Sequence, residues 1–527
     1  MYKKYIAGIS VFLILVVFLF VKNLQKIKFT LFNPVSPAMS EEIWEGKTRV
    51  ERFEFGSLLC NGIQLPVDYI EKTFYVPVDM ETDQWETLDF ASGNEDYQIL
   101  FSEDFTQYDK KQLIAEGTDI EFLVYNDTEF STYHMIFTGL PVIDISTAEG
   151  IDAGREISGN AVFYDTDFTV QGIQASAYHG HVRGNTSTLY PKKGYKLNLT
   201  KHKEDGSAEP NKLSLFDLRK DDDWILYAIY NDESKLRVKL CIDLWNELGA
   251  KKVSPGSTYN SNFTYVELIV DESYYGMYAL MEPIDAKQLN LNSEDYLYKR
   301  KEQNSLSPEH FEQAKNPEEE VLGFEVKAGA LTKDAWLPME EFSRVVMASD
   351  EEFVKTIGNI IDEDNAMRLW LYIQVITGVD QVYKNAFYVA KKEGAAYRFS
   401  FAPWDMDLTW GNISADTEPF YTEFHEELIQ KSLDWEPGNR LVRLNVNDSA
   451  EKMQKLYSEL RRTCLSDGAI EERISGLNHI VRDSGAYERN HVRWPEEAYA
   501  DDCGIVLHYA KERLKYLDTA LYNLEDY

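Results

Sequence analysis

Residues 380–410 read DQVYKNAFYVAKKEGAAYRFSFAPWDMDLTW and predict two short strands, near 385–390 and 397–402. The chain around them has helical periodicity instead, over 350–378, 450–483 and 504–524. The two strands are therefore predicted to lie within a mainly helical C-terminal region.

Polar side chains flank both strands. Asp380 follows the apolar helix MRLWLYIQVITG, Asn385 stands directly before the first strand, and Asp405 and Asp407 follow the second. A hard cation such as Mg²⁺ binds carboxylate and amide oxygens, so Asn385 and Asp405 are candidate metal ligands. Acids between tryptophans are also typical of helix caps and turns, and any one of these residues alone is more simply explained as structural.

The chain before residue 300 is predicted to be rich in strands. Runs such as IEFLVY and YHMIFTGL, between Trp44 and Ile145, predict a small β-sandwich of about 100 residues. Strands near 161–178 and 193–200 follow, then a helix near 232–248. FTYVELIVD and YYGMYALME, joined by a short turn, predict a hairpin.

The N-terminus predicts contact with a membrane. Tyr5–Val21 carries no charge, and as a helix it would be about 25 Å long, just enough to cross a bilayer core. No small-x-small cleavage site precedes Lys22, so an uncleaved signal-anchor is preferred to a cleaved signal peptide. The flanking basic residues do not decide the orientation. We expect a single-pass protein of the cell membrane with an extracellular body; a cytoplasmic body is the alternative.

These patterns predict an α+β fold class with four segments. A signal-anchor or transmembrane segment occupies 1–28, and a linker occupies 29–45. A β-sandwich accessory domain spans 46–148, and a two-lobed domain spans 149–527.

The overall charge excludes one class of partner. Lys and Arg number 54 against 89 Asp and Glu, a net charge of −35, which repels polyanions. General nucleic-acid binding through phosphate contacts is therefore not expected. The four cysteines are scattered with no CxxC pair, which predicts neither a disulfide framework nor a structural zinc site.

One window of this acidic chain contains no acid. Phe168–Lys203 has neither Asp nor Glu, while Arg183, Lys193 and Lys196 are among its six basic residues. Such a local positive charge is typical of a site for a small anion such as a nucleotide phosphate. The loop RGNTS, at 183–187, adds backbone N–H groups that could face phosphate oxygens.

The strand phase within this window distinguishes its lysines. In YPKKGYKLNL the alternation places Lys193 on one face with Tyr195 and Leu197, and Lys196 on the other. A solvated basic strand near a turn is the alternative interpretation.

The order of these parts matches that of a protein-kinase site. A lysine on a strand is followed by a helix, a hairpin leading to a hinge at Met281–Pro283, an Asp with an Asn five positions later, and a final Asp. The hinge makes Glu282 a candidate ATP contact, and Arg237 on the helix is a candidate phosphate ligand. Glu233 and Glu247 both remain open as the acid that pairs with the lysine.

The chain also resembles a known family, the spore-coat protein CotH kinase-like family of atypical kinases. The matching stretches are RGNTS-x2-YPKKGYKLNLTK, DDDWILYAIYNDESKLRVKLCIDLWNELG, FTYVELIVDESYYGMYALME, DQVYKNAFYV and FAPWDMDLTWG, within about 150 to 525. Their joint occurrence in this order is specific, whereas each motif alone is weak. The resemblance implies that residues 149–527 form a kinase-like domain.

The resemblance also implies an activity and residue roles. It implies binding of ATP and Mg²⁺ (or Mn²⁺) and phosphoryl transfer to Ser or Thr of a protein acceptor. By this resemblance Asp380 looks like the catalytic Asp, Asn385 and Asp405 like the metal ligands, and Lys193 like the phosphate lysine. The ordinary kinase pattern is incomplete, because no His-Arg precedes Asp380 and no Gly stands two places after Asp405.

Two other function classes compete with a kinase. The first is a catalytically inactive, kinase-like surface adhesion or scaffold protein. The second is a glycan hydrolase with Asp405 and Asp407 as its paired carboxylates, a hypothesis that gives the cationic window no role.

Overall fold

A computed structural model describes most of the chain beyond residue 43. The described residues are 44–50, 55, 57–83, 85, 88–150, 156–167, 172–184, 186–203, 206–248, 261–302, 304–412, 433–500 and 503–521. The predicted signal-anchor at 1–28 lies outside them, as does nearly all of the predicted linker at 29–45.

The strands are β1 (Thr48–Arg49), β2 (Leu58–Cys60), β3 (Ile63–Gln64), β4 (Val67–Asp68), β5 (Thr73–Pro77), β6 (Phe90–Ser92), β7 (Gln98–Phe101), β8 (Ile120–Tyr125), β9 (Glu129–Thr138), β10 (Val142–Thr147), β11 (Glu156–Tyr164), β12 (Ile173–Arg183), β13 (Gly194–His202), β14 (Ala208–Pro210), β15 (Asp223–Tyr227), β16 (Phe263–Val270), β17 (Ser273–Met281), β18 (Tyr296–Arg300), β19 (Phe324–Ala328), β20 (Ala386–Glu393) and β21 (Ala396–Pro403).

The α-helices are α1 (Lys110–Ala115), α2 (Arg237–Leu248), α3 (Pro308–Gln313), α4 (Leu337–Val346), α5 (Asp350–Ile360), α6 (Glu363–Ile376), α7 (Val379–Tyr383), α8 (Gly438–Arg443), α9 (Ser449–Arg461), α10 (Asp467–Asp483), α11 (Ala486–Arg493) and α12 (Gly504–Ala520).

The chain forms two compact units. The first comprises the described residues up to Ala228, with Thr264–Leu280 and Ile480–Glu496. The second comprises Ile229–Phe263, Met281–His479 and Glu497–Tyr527. The domain boundaries predicted from the sequence, at 46–148 and 149–527, stay predictions.

The first unit begins with two small sheets around an aromatic core. β4, β5, β9, β8 and β7 form a sheet to which β1 adds by pairing with β9, and β3, β2 and β6 form a second. Their apolar side chains share one core with residues of the following strands, including Val142, Tyr164 and Ile269. This β-rich segment and the strands after it are therefore continuous in packing.

The larger sheet of the first unit closes into a barrel. Its order is β12-β11-β10-β16-β17-β15-β13, and β13 pairs back with β12, so that seven strands form a ring with β14 outside it. Along β13, Tyr195, Leu197 and Leu199 are buried, as the period-two alternation requires. Gly180 permits the closing pair, because a Cβ there would overlap the carbonyl oxygen of Lys196.

The second unit contains an antiparallel sheet and most of the helices. The sheet has the order β19-β18-β20-β21, and its last two strands are those predicted near 385–390 and 397–402. Helix α6 packs against β21, α2, α8, α9 and α12. Residues 369–373 of this helix are all fully buried, which explains why this part of its sequence is apolar on every side.

The fold class as predicted is wrong. It combined an N-terminal transmembrane helix, a small sandwich and a two-lobed domain, whereas the structure is an α+β fold with a closed seven-stranded barrel. Among the described residues, moreover, no helix is long and apolar enough to cross a bilayer. The barrel escaped prediction because pairs such as β10 with β16 join strands that are far apart in sequence.

Candidate functional site

Helix α6 holds the two segments that carry the candidate acids of the second unit. At its start, Asp362 caps the helix by accepting a hydrogen bond from the Asn365 backbone N–H, at 3.1 Å. The Asn365 amide then bonds both backbone groups of Phe401 on β21, at 2.7 and 3.1 Å. The strand that leads to Asp405 is therefore fixed to the helix that leads to Asp380.

The C-terminal end of α6 holds the same two segments. The helix stops at Thr377, which has a left-handed φ of 54°, and α7 with Asp380 begins two residues later. The Ile376 carbonyl oxygen accepts a hydrogen bond from the Trp410 N–H at 2.9 Å. The side-chain amide of Gln381 donates to the carbonyl oxygens of Trp404 and Asp405, at 2.9 and 3.0 Å.

Asp380 is half-buried and has two polar neighbours on one carboxylate oxygen. Its Oδ2 accepts a hydrogen bond from the Asn385 side-chain amide at 3.3 Å and pairs with Lys384 Nζ at 3.1 Å. Burial and the negative charge of Asp405 raise the pKa of Asp380, while Lys384 opposes the shift. From the described residues no hydrogen bond reaches its Oδ1, so that oxygen is available to a substrate proton.

Asn385 and Asp405 both have left-handed backbone angles, with φ of 54° and 56°. Asn385 directly precedes β20, and Asp405 lies two residues after the end of β21. The Trp404 N–H donates to the Asn385 carbonyl oxygen at 2.9 Å. Non-glycine residues in this conformation store backbone strain that the surrounding contacts must maintain. The Asp405 side chain is exposed and accepts no hydrogen bond from the described residues.

Asp407 is a third acid of the same site. Its Oδ2 accepts a hydrogen bond from the Asn231 side-chain amide at 2.6 Å, and its Oδ1 accepts one from the Leu408 N–H at 3.0 Å. Burial, then the charges of Asp405 and Asp380, raise the pKa of Asp407 to about 8. Burial and the neighbouring carboxylates thus disfavour the ionised form of Asp407 in the absence of a cation.

This chemistry fits a hard divalent cation. The side-chain oxygens of Asn385 and Asp405 are of the kind that Mg²⁺ and Mn²⁺ bind, and a cation would offset the repulsion between the neighbouring carboxylates. In the described part of the chain, no group of three His, Cys, Asp or Glu side chains is arranged to hold a metal by itself. A cation here would therefore also need oxygens from a nucleotide or water.

Arg237 and Glu282, two further predicted ATP contacts, lie in the second unit and are buried. The Arg237 guanidinium donates to Asp232 at 2.6 Å and to Glu233 at 2.8 Å, so it is held by two carboxylates. The backbone N–H of Glu282 donates to the Asn262 carbonyl oxygen at 2.9 Å. Their roles toward ATP stay predictions.

The predicted phosphate-binding residues Arg183, Lys193 and Lys196 belong to the first unit. Arg183 ends β12, and Lys193 precedes β13, which begins only at Gly194. Lys193 Nζ donates to the Thr188 carbonyl oxygen at 2.5 Å. Lys196 lies within β13 and pairs with Asp223 at 3.1 Å. Lys193 thus lies one residue outside the strand whose alternation was used to orient it, and the three phosphate roles stay predictions.

Lys192 is a neighbour that sequence reasoning did not single out. It is buried, and its Nζ donates to the Met277 carbonyl oxygen and to the Asn490 side chain, both at 2.7 Å.

Asn231 and Asn412 were also missed by the sequence analysis, because no local pattern connects these two asparagines with the acids near 405.

Comparisons with known proteins support the motif-based resemblance. A family model described as CotH kinase protein matches residues 181–517. The inner spore coat protein H of Bacillus subtilis (strain 168) is 24% identical over 309 residues, which cover 55% of this chain and 76% of that protein. The family prediction is confirmed, and the matched range contains Asp380, Asn385 and Asp405.

Proposed function

Because the chain belongs to the CotH kinase protein family, we propose that it is an atypical protein kinase. It transfers the γ-phosphoryl group of ATP to a serine or threonine hydroxyl of a protein acceptor. One observation carries the proposal: Asp380, Asn385 and Asp405, which follow α6, precede β20 and follow β21, come together within the family-matched residues.

Asp380 is the proposed catalytic residue. The acceptor hydroxyl oxygen forms a bond to the γ-phosphorus, the bond from phosphorus to the β–γ bridging oxygen breaks, and ADP leaves. The proton of the hydroxyl passes to the Asp380 carboxylate. Its Oδ1, which accepts no hydrogen bond from the described residues, suits this role, and Lys384 and Asn385 hold the other oxygen.

Asn385 and Asp405 are the proposed ligands of Mg²⁺ or Mn²⁺. When bound, the cation would neutralise charge on the nucleotide phosphates. Both have left-handed backbone angles and lie at the open end of one hairpin, where Ala386 pairs with Pro403, so that their side chains extend from fixed positions rather than from a flexible loop.

A direct assay tests the proposal. The purified chain is incubated with Mg²⁺ and γ-labelled ATP, with and without a serine-rich basic acceptor, which the net charge of −35 should attract. We expect label on the acceptor. If the folded protein neither binds ATP nor transfers label, the kinase proposal is wrong, and the adhesion or scaffold hypothesis takes its place.

A lysine pair tests the phosphate role within the first unit. Lys193→Ala should weaken ATP binding more than Lys201→Ala, because Lys201 is an exposed lysine whose partner is Glu209, at 3.3 Å. Calorimetric titration with ATP measures both variants. Equal, negligible losses would mean that the basic window is a solvated face, and a loss at Lys196→Ala alone would move the role to that residue.

A further inference from the structure

The turn before α2 buries an unusual amount of charge. Asp232, Glu233, Lys235 and Arg237 are at most 3% exposed. Arg237 pairs with Asp232 and Glu233, and Lys235 pairs with the buried Glu497 at 2.8 Å. Removing charges from water is costly, and apolar residues of similar volume often stabilise a fold as well. Stability alone therefore does not explain this ionic turn.

The ionic turn fixes the backbone on both sides of Asn231. Lys235 Nζ donates to the Ile229 carbonyl oxygen at 2.8 Å, while Asp232 accepts hydrogen bonds from the backbone N–H groups of Ser234 and Arg237, at 3.0 and 2.8 Å. Ile229 and Lys235 adopt left-handed φ angles of 50° and 63°. Asn231 is thus presented from a rigid support.

Asn231 is connected to Asp407 in two ways, by a direct hydrogen bond and through Asn412. Its side-chain amide donates to Asp407 Oδ2 at 2.6 Å. The Asn412 amide donates both to the Asn231 carbonyl oxygen, at 2.9 Å, and to the Asp407 carbonyl oxygen, at 3.1 Å. The Asp407 carboxylate therefore has a fixed orientation, yet only two of its lone-pair positions are used.

We propose that Asn231 is a positioning residue, which orients the Asp407 carboxylate as a second acidic ligand of the cation held by Asp405 and Asn385. The inference rests on the proposed function. Asp407 stands two residues after Asp405 on the same segment, which is anchored by the Trp410 N–H to α6. The ionic turn then has a function: it preserves the Asn231 geometry, as outer hydrogen-bond partners do in metal sites.

Mn²⁺ binding to the full chain, measured by electron paramagnetic resonance without nucleotide and again with ATP, tests this inference. We expect Asn231→Ala to weaken Mn²⁺ binding by about 10- to 100-fold, the range typical of such partners, and Asp407→Asn, which changes the ligand itself, to weaken it at least as much. Asn292→Ala, which removes an amide from an exposed turn, should leave the affinity unchanged. Melting temperatures establish that each variant is folded.

The double variant distinguishes positioning from a general structural role. If Asn231 acts through Asp407, then Asn231→Ala added to Asp407→Asn should weaken Mn²⁺ binding no further. Fully additive losses, or wild-type affinity in either folded single variant, would overturn the inference while leaving the kinase proposal intact. If Asn231→Ala does not fold, Asn231→Ser takes its place in the same cycle. A wild-type protein that binds no Mn²⁺, with or without ATP, would overturn both.

Discussion

Asp380→Asn should lower the rate of phosphoryl transfer by about 10²- to 10⁴-fold, the usual contribution of a positioned acid–base group, while ATP affinity stays near that of the wild type. Asparagine keeps the shape of the side chain and removes the negative charge that accepts the proton of the substrate. Single-turnover transfer of labelled phosphate and a separate ATP titration measure the two quantities.

The structure supplies a matched control for this variant. Asp380 pairs with Lys384 four residues later in the chain, and Asp364 on α6 makes the same kind of pair with Arg368, at 2.8 Å. Asp364→Asn should therefore lose a similar ion pair with no change in transfer. Transfer by folded Asp380→Asn at the wild-type rate would show that the catalytic assignment is wrong.

The melting temperature of Asp380→Asn distinguishes a catalytic role of Asp380 from a structural one. Its pKa is raised in the folded protein, so the ionised form is destabilised by folding, and this cost is present above the unfolded pKa. The neutral amide that Asp380→Asn introduces carries no such cost. We expect the melting temperature of this variant at neutral pH to be no lower than that of the wild type. Side chains that are placed for function often reduce stability, so their replacement is often neutral or stabilising.

Local patterns predicted the hairpin that carries the site. Alternating apolar residues predicted strands near 385–390 and 397–402, observed as β20 and β21. The positions of Asp380, Asn385 and Asp405 at the ends of these elements made their proximity a reasonable expectation. Hairpin pairing is local, so the sequence contains most of the information that it requires.

Non-local geometry was not predictable in the same way. Asn231 meets Asp407 across 176 residues, and no period or motif connects the two. The barrel depends on similarly distant pairs, whose formation requires closing long loops of chain. The boundary of β13 also differs from the prediction: the strand begins at Gly194, so its alternation does not include Lys193.

Asp405→Asn should weaken Mg²⁺-ATP binding and phosphoryl transfer together, which distinguishes it from Asp380→Asn. Removal of one charged metal ligand should cost several kcal/mol of transition-state stabilisation, or more than about a hundredfold in rate. Asparagine is preferred to alanine because residue 405 has a φ of 56°, a conformation that asparagine tolerates better. Asp405→Ala should lose the same functions and add backbone strain.

The dependence of the reaction on metal concentration identifies the mechanism of this loss. If Asp405 holds the cation, Asp405→Asn should need much more Mg²⁺ for half-maximal transfer, whereas Asp380→Asn should need the wild-type amount at its lower rate. Asp448→Asn is the matched control, since Asp448 is also exposed with a left-handed φ, of 61°, but takes no part in the proposed site. An unchanged Mg²⁺ requirement in folded Asp405→Asn would remove Asp405 from the metal site, because a lost ligand must lower the affinity for the cation that it binds.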